Sequence, residues 1–182
     1  MSKIKISTQR TELRLINISD LNEIHQLHSL KETDEYNTLG IPKTISETQS
    51  IIEPLIEANQ QTPIHQYTFA IVNNMTRQFI GLFGLKLGHQ KYKRGEVWFK
   101  IHVNYWEKGY ASEALKAVIN FGFNTLHLHR IEAGCAVGNA ASKRVLEKTG
   151  FIQEGRGRQV LPLKSGWSDN FEYAILESDK RN

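Results

Sequence analysis

The sequence predicts an α/β fold on a mixed, mostly antiparallel sheet, and three patterns carry that expectation. Val97, Phe99, Ile101 and Val103 recur every second residue, the period of a half-buried strand. Immediately beyond, Ala111, Ala114, Leu115, Val118, Ile119 and Gly122 fall at helical spacing. A second succession follows, a strand from Arg130 to Val137 and then a helix from Asn139 to Lys148. Strands that each feed a helix favour a parallel pairing, and the remaining strands, joined by turns, favour antiparallel ones, about seven in all. At 182 residues the chain is expected to be one domain over residues 1–182, long enough to bury a full core.

In chain order, Gln9 to Ile16 reads as a first strand. A helix follows with Ser19 or Asp20 as its cap and Leu21, Ile24 and Leu27 on its inner face. Residues 31 to 45 show no clean period. Ser46 and Gln49 stand at capping-box spacing ahead of Ile51, Ile52, Leu55 and Ile56, predicting a second helix that Pro54 should kink or divide. Gln66 to Val72 and Phe79 to Leu87 read as strands joined around Asn73-Asn74, followed by the strand from Glu96. Lys86, His89, Lys91, Lys93 and Arg94 surround Gly88 and Gly95 as a solvated hairpin turn. After the second strand–helix succession, Phe151 to Val160 and Phe171 to Leu176 close the sheet around a turn near Ser165-Gly166.

Several classes are set aside by composition. No apolar run approaches the ~20 residues of a membrane span, and the first twenty residues lack a signal-peptide core. A single cysteine, Cys135, forms no internal disulfide, so the cytoplasm is the expected setting, and its alternation with Ile131, Ala133 and Val137 reads as buried packing. The net charge of +4 allows an anionic cofactor, but basic and aromatic residues do not interleave as a nucleic-acid platform needs, so nucleic acid is not expected as a partner. His25 with His28, and His127 with His129, are pairs without a third ligand nearby, and no metal is expected.

Chemistry is carried by the junction Tyr105-Trp106-Glu107-Lys108-Gly109-Tyr110-Ala111-Ser112-Glu113-Ala114, where a strand runs in and an amphipathic helix runs out. A helix begun there offers unpaired N–H groups and a partial positive charge, which suits a phosphate. Gly109 and Ala111 keep the backbone bare for a pyrophosphate, while Glu113 in the first turn would slightly oppose one. Neither Gly-x-x-x-x-Gly-Lys-Ser/Thr nor Gly-x-Gly-x-x-Gly occurs in the chain.

This turn resembles the acyl-coenzyme A signature Gln/Arg-x-x-Gly-x-Gly/Ala of the GNAT superfamily of N-acetyltransferases, with Trp106 in the first place as in its Rim-type, ribosomal-protein N-terminal branch. Leu128 to Cys135, followed by Gly138-Asn139-Ala140-Ala141-Ser142 and ending in Gly150-Phe151, resembles that branch's second signature, and Thr11 to Leu15 its first strand. The resemblance implies the GNAT fold, with helices on both faces of the sheet and a splayed central strand pair. It further implies acetyl-CoA as co-substrate and an amine acceptor, with the protein N-terminus preferred. Its coenzyme-binding positions here are Ile101, His102, Val103, Lys108, Gly109, Tyr110, Ala111, Ser112, Asn139 and Ser142. The pantetheine arm would pair with the strand edge near Ile101 and Val103, and Gly134 and Ala136 would be small to let ligand or backbone approach.

An amine must lose a proton and a thiolate must leave. Ser142 is the candidate to assist the thiolate, and Asn139 serves as helix cap alone or as cap and ligand contact. The family's tyrosine position holds Leu146 and the Rim-type carboxylate position holds Leu161, leaving Glu96, on a strand face with Trp98, Lys100 and His102, as candidate base or exposed charge. A small-molecule amine as acceptor, a catalytically weak acyl-CoA-binding regulator, and a module for an anionic macromolecule remain open alternatives, as does a dimer.

Overall fold

The computed structural model describes residues 4–179. Among these residues eight strands form one sheet: β1 (Lys5–Ser7), β2 (Thr11–Leu15), β3 (Gln66–Asn73), β4 (Phe79–Leu87), β5 (Arg94–Ile101), β6 (Arg130–Ala136), β7 (Ile152–Leu163) and β8 (Gly166–Leu176). Their order is β1-β2-β3-β4-β5-β6-β8-β7. Every neighbouring pair is antiparallel except β5 with β6, and that pair is short. Only Arg94, Gly95 and Glu96 find partners, in Arg130, Ile131 and Glu132, after which the two strands part. The helices are α1 (Leu21–Ser29), α2 (Lys31–Asp34), α3 (Ile45–Gln60), α4 (Tyr110–Asn124) and α5 (Ala140–Lys148). Among the described residues, no helix is long and apolar enough to cross a membrane.

The layers follow from strand alternation. Phe69 and Ile71 of β3, Phe83 and Leu85 of β4, and Val97 and Ile101 of β5 pack in one core with Ala114, Leu115, Val118 and Ile119 of α4 and Leu146 of α5. The intervening Ala70, Val72 and Leu82 pack on the other face with Ile24 and Leu27 of α1 and Ile52 of α3. A strand covered on both faces reads as a continuous apolar run, which is what β3 presents.

Several boundaries differ from expectation for local reasons. The first strand begins at Thr11, because residues 9 and 10 form a bend after the unexpected strand β1. α1 itself starts after Asp20, one of the two expected caps, although that side chain makes no capping bond to the helix, and just before it a short 3₁₀ turn is capped by Asn17. Its Oδ1 accepts from Ser19 N–H at 2.9 Å and its own N–H donates to Asp20 at 2.9 Å. The Asp20 carboxylate is held by both terminal nitrogens of Arg14, at 2.6 and 2.8 Å. Thr44, not Ser46, caps α3, accepting from Glu47 N–H. Pro54 does not divide that helix. Pro54 and Ser50 are both exposed, so the carbonyl left without a donor meets water, and buried Asn59 ties the helix to β3 by exchanging two 2.9 Å hydrogen bonds with the backbone of Thr68. β5 stops at Ile101, so Val103 lies in a 3₁₀ turn, Val103–Tyr105, capped by His102.

His28, on α1, is buried and its Nδ1 has no hydrogen-bond partner. Burial first, and then the nearby charge of Lys100, hold its pKa down to about 4. Between pH 6.5 and about 4 the unfolded chain therefore binds a proton that the folded chain refuses. Stability present above pH 6.5 is lost as the pH falls through that window, by at most about 3 kcal/mol. Thermal midpoints across these pH values should fall less steeply for His28→Leu than for the parent; parallel slopes would refute this.

Candidate functional site

The parting of β5 and β6 exposes strand edges. Register pairs Lys100 with Leu82 and Ile101 with Gly81, and His102 N–H donates to Ile80 C=O at 2.9 Å. By antiparallel alternation the even residues bond to β4, so the N–H and C=O of Phe99 and Ile101 face the gap. The Ile101 carbonyl is taken by the Trp106 indole, whose Nε1–H donates to it at 2.7 Å. This bond gives Trp106 a structural reason at the head of the turn, and it leaves the Ile101 N–H turned to the gap.

The turn then reverses through two left-handed residues, Glu107 with φ 58° and Gly109 with φ 81°. Gly109 caps α4 by backbone alone. The first-turn amides of Tyr110, Ala111 and Ser112 have no acceptor within their own helix. Arg10, which sequence reasoning missed, braces this turn. Its Nη1 donates to Lys108 C=O at 2.9 Å, its Nε to Glu113 Oε2 at 2.6 Å, and its guanidinium carbon sits 4.5 Å from the Tyr110 ring centroid. Burial alone would raise the Glu113 pKa, but hydrogen bonds from Thr8 and from the backbone and side chain of Arg10 outweigh it and hold the carboxyl below its usual range. The expectation that Glu113 would oppose an anion is therefore corrected: its charge is spent on Arg10 and Thr8.

On the other side of the gap Asn139 caps α5, its Oδ1 accepting from Ser142 N–H at 3.0 Å. Tyr36 packs over Gly138, where a Cβ would lie 3.0 Å from its ring, and so joins the segment after α2 to the start of α5. These parts enclose a cleft of about 930 Å³. Its walls include Phe99, Lys100 and Ile101 from β5, Tyr105 and Trp106, Gly109 to Ser112, Asn139 and Ser142, and Glu32, Glu35 and Tyr36 from the α2 side.

Of the residues singled out by sequence, the cleft brings together Ile101, Gly109, Tyr110, Ala111, Ser112, Asn139 and Ser142. His102, Val103 and Lys108 are not part of its wall; the first two lie past the end of β5, and Lys108 Nζ folds back to donate to Asn104 C=O at 2.7 Å. Glu96 is also absent from it. It is exposed at the last paired position, roughly 16 Å along the strand from Ile101. Gly134 leaves room for the Asn170 side chain, 2.8 Å from where its Cβ would be, and not for a ligand. Leu146 is buried in the α4 core, outside the cleft wall, and Leu161 is half-buried on β7. Burial pushes the Cys135 thiol up to about 11, consistent with a packing role.

In chemical terms this is an anion-ready helix start, an open strand edge and a hydroxyl around one cavity. Residues 10–152 match the family described as acetyltransferase (GNAT) domain. The uncharacterized N-acetyltransferase YoaA of Bacillus subtilis is 31% identical over 172 residues, 94% of this chain and 96% of that protein. The [ribosomal protein uS5]-alanine N-acetyltransferase of Escherichia coli is 35% identical over 75 residues, covering 41% of this chain and 39% of that protein. A GNAT-family acetyltransferase structure from Bacillus anthracis superposes with TM-score 0.85 at 27% identity, covering 97% of this chain and all of that one. Spermidine N-acetyltransferase from Vibrio cholerae, solved with CoA and spermine, superposes with TM-score 0.81 at 22% identity over 93% and 96% of the two chains.

Proposed function

We propose, for a chain that belongs to the acetyltransferase (GNAT) family and is an acetyl-CoA-dependent N-acetyltransferase, that the preferred acceptor is an α-amino group such as a protein N-terminus. The observation that carries this reading is the cleft, which unites the Gly109 turn, the freed edge of β5 and Ser142 while leucine occupies positions 146 and 161. The residues fit acetyl-CoA. The amides from Gly109 to Ser112 at the start of α4 receive the pyrophosphate, the Ile101 N–H pairs with an amide of the pantetheine arm as an added strand would, and the Ser142 hydroxyl donates to the departing thiolate.

Acceptor choice follows from proton arithmetic. With a pKa of about 7.7 to 8.0, roughly a tenth to a sixth of α-amines are neutral at pH 7, against roughly 0.04% of lysine side chains at about 10.4. A site without a carboxylate or tyrosine at the two expected positions favours the amine that sheds its proton easily, by on the order of a few hundredfold. The Trp106 signature and the partial likeness to the uS5-alanine enzyme support the same choice. A second reading, a small polycationic amine, is favoured by Glu32 and Glu35 on the cleft wall and by the relative named spermidine N(1)-acetyltransferase, 23% identical over 170 residues.

Thiol release from acetyl-CoA distinguishes them. At pH 7 a lysine-free peptide with an open N-terminus should turn over faster than its N-blocked, lysine-bearing counterpart and faster than spermidine; preference for spermidine would establish the second reading instead.

Gly109→Val places a β-branched residue in a left-handed conformation that costs about 1–2 kcal/mol and turns the helix-start amides away. The variant should keep its circular dichroism while its dissociation constant for acetyl-CoA rises at least tenfold, and parental affinity would remove the pyrophosphate from this turn.

Ser142→Ala should lower kcat by ~10- to 10⁴-fold with acetyl-CoA affinity nearly unchanged. Full turnover in single-turnover and steady-state assays would exclude the hydroxyl from thiolate departure.

A further inference from the structure

Four buried side-chain atoms among the described residues have no hydrogen-bond partner, and three of them cluster beside the cleft: His28 Nδ1, Asp34 Oδ1 and Lys100 Nζ. The groups act on each other through space, for Lys100 depresses the charge of His28, and Asp34 favours the charge of Lys100. Lys100 is 7% exposed and Asp34 5%. Burial of an ammonium with no hydrogen bond is costly, so a chain that keeps one at the wall of its cleft invites a functional account. Lys100 stands one residue before Ile101, at the end of β5 that has left β6, and opposite Leu82 on the face covered by α1 and α3. It lines the cleft, which Glu96 does not.

We propose that Lys100 is the base that takes the proton of the attacking acceptor amine, with Asp34 the positioning residue that governs when Lys100 is neutral. The inference deepens the acetyl transfer proposed above and rests on it. The lone pair of the acceptor amine forms the bond to the thioester carbonyl carbon, and the C–S bond breaks with its electron pair leaving on sulfur. The surplus proton on the new amide nitrogen passes to neutral Lys100 Nζ and from there to solvent, while the thiolate, held by the Ser142 hydroxyl, takes a proton from solvent in turn. The four-carbon stem of lysine allows Nζ to swing between the Asp34 side and the cleft.

The surroundings suit this task. From α1, His28 faces Lys100, and its own pKa of about 4 leaves it unable to hold the proton, while His25 behind it bonds to Thr48 of α3 at 2.7 Å. From α2 come Asp34 and, on the cleft wall, Glu32 and Glu35. β4 offers the uncharged Leu82, and on its own strand the nearest ionisable group is exposed Glu96. Burial pushes Lys100 down to about 8, with Asp34 opposing, which brings it level with an α-ammonium and about two units below a lysine ammonium.

The test is the pH dependence of kcat for the full chain, using two acceptors whose amine pKa values differ by about two units. The parent should show one ascending limb near pH 8 shared by both acceptors. Lys100→Met and Lys100→Arg should each lower kcat about 10²- to 10⁴-fold with an unchanged KM for acetyl-CoA and no such limb. Asp34→Asn should move the limb to lower pH, since it removes the carboxylate that favours the charged lysine. Parental kcat and limb in Lys100→Met, a limb that follows the acceptor and ignores Asp34→Asn, or Lys100 found acetylated by mass spectrometry with Lys100→Arg fully active would each overturn the assignment. If Lys100→Met fails to fold, the position of the limb in Asp34→Asn decides. A parent that releases no thiol with any amine would overturn the acetyl transfer itself, whereas an active parent with an unaffected Lys100→Met overturns Lys100 alone.

Discussion

The short parallel pairing of β5 with β6 is the constraint on which this architecture depends. Parallel neighbours cannot be joined by a tight turn, so a crossover is required, and α4 supplies it. Because the crossover begins where β5 ends, the start of α4 lies at the end of the sheet where the two strands separate. The same geometry brings the start of α5 to the end of β6. Two helix starts and two freed strand edges therefore meet in one place without any long loop, as ligand sites form at the carboxyl ends of parallel strands in other α/β sheets. Everywhere else in the sheet the neighbouring strands pair antiparallel around this opening.

Much of this was legible in the residues. The two-residue alternation around Val97, the helical spacing from Ala111 and the Asn139 cap are local signals, and the structure carries each of them. Strand β1 escaped notice because three residues give no period, and the cap of α3 lay two residues from its expected position because Ser and Thr compete for that role. Pro54 does not end α3, because the carbonyl it leaves without a donor lies on the exposed side of the helix.

Long-range electrostatics was the part that sequence did not disclose. Arg10 and Glu113 are 103 residues apart and neither stands in a pattern that announces the other. His28, Asp34 and Lys100 come from two helices and a strand, and each alone looks like an ordinary polar residue. In strand alternation Lys100 reads as a solvent-facing charge, and only the packing of the helical segments over that face makes it buried. Burial of this kind is a tertiary fact, and so is every property of acid–base chemistry that it governs.

An open strand edge in the middle of a sheet is a hazard for any protein at high concentration, because its backbone groups can recruit a strand from a neighbouring molecule. The Trp106 indole blunts that edge. By occupying the Ile101 carbonyl it leaves a donor without the companion acceptor that a polypeptide strand would need to continue its ladder. A ligand that asks for a single amide contact loses nothing by this, while a stray β-strand finds its register broken at the first step. One indole nitrogen thus leaves the parted edge of β5 poorer in groups that an intruding strand could use.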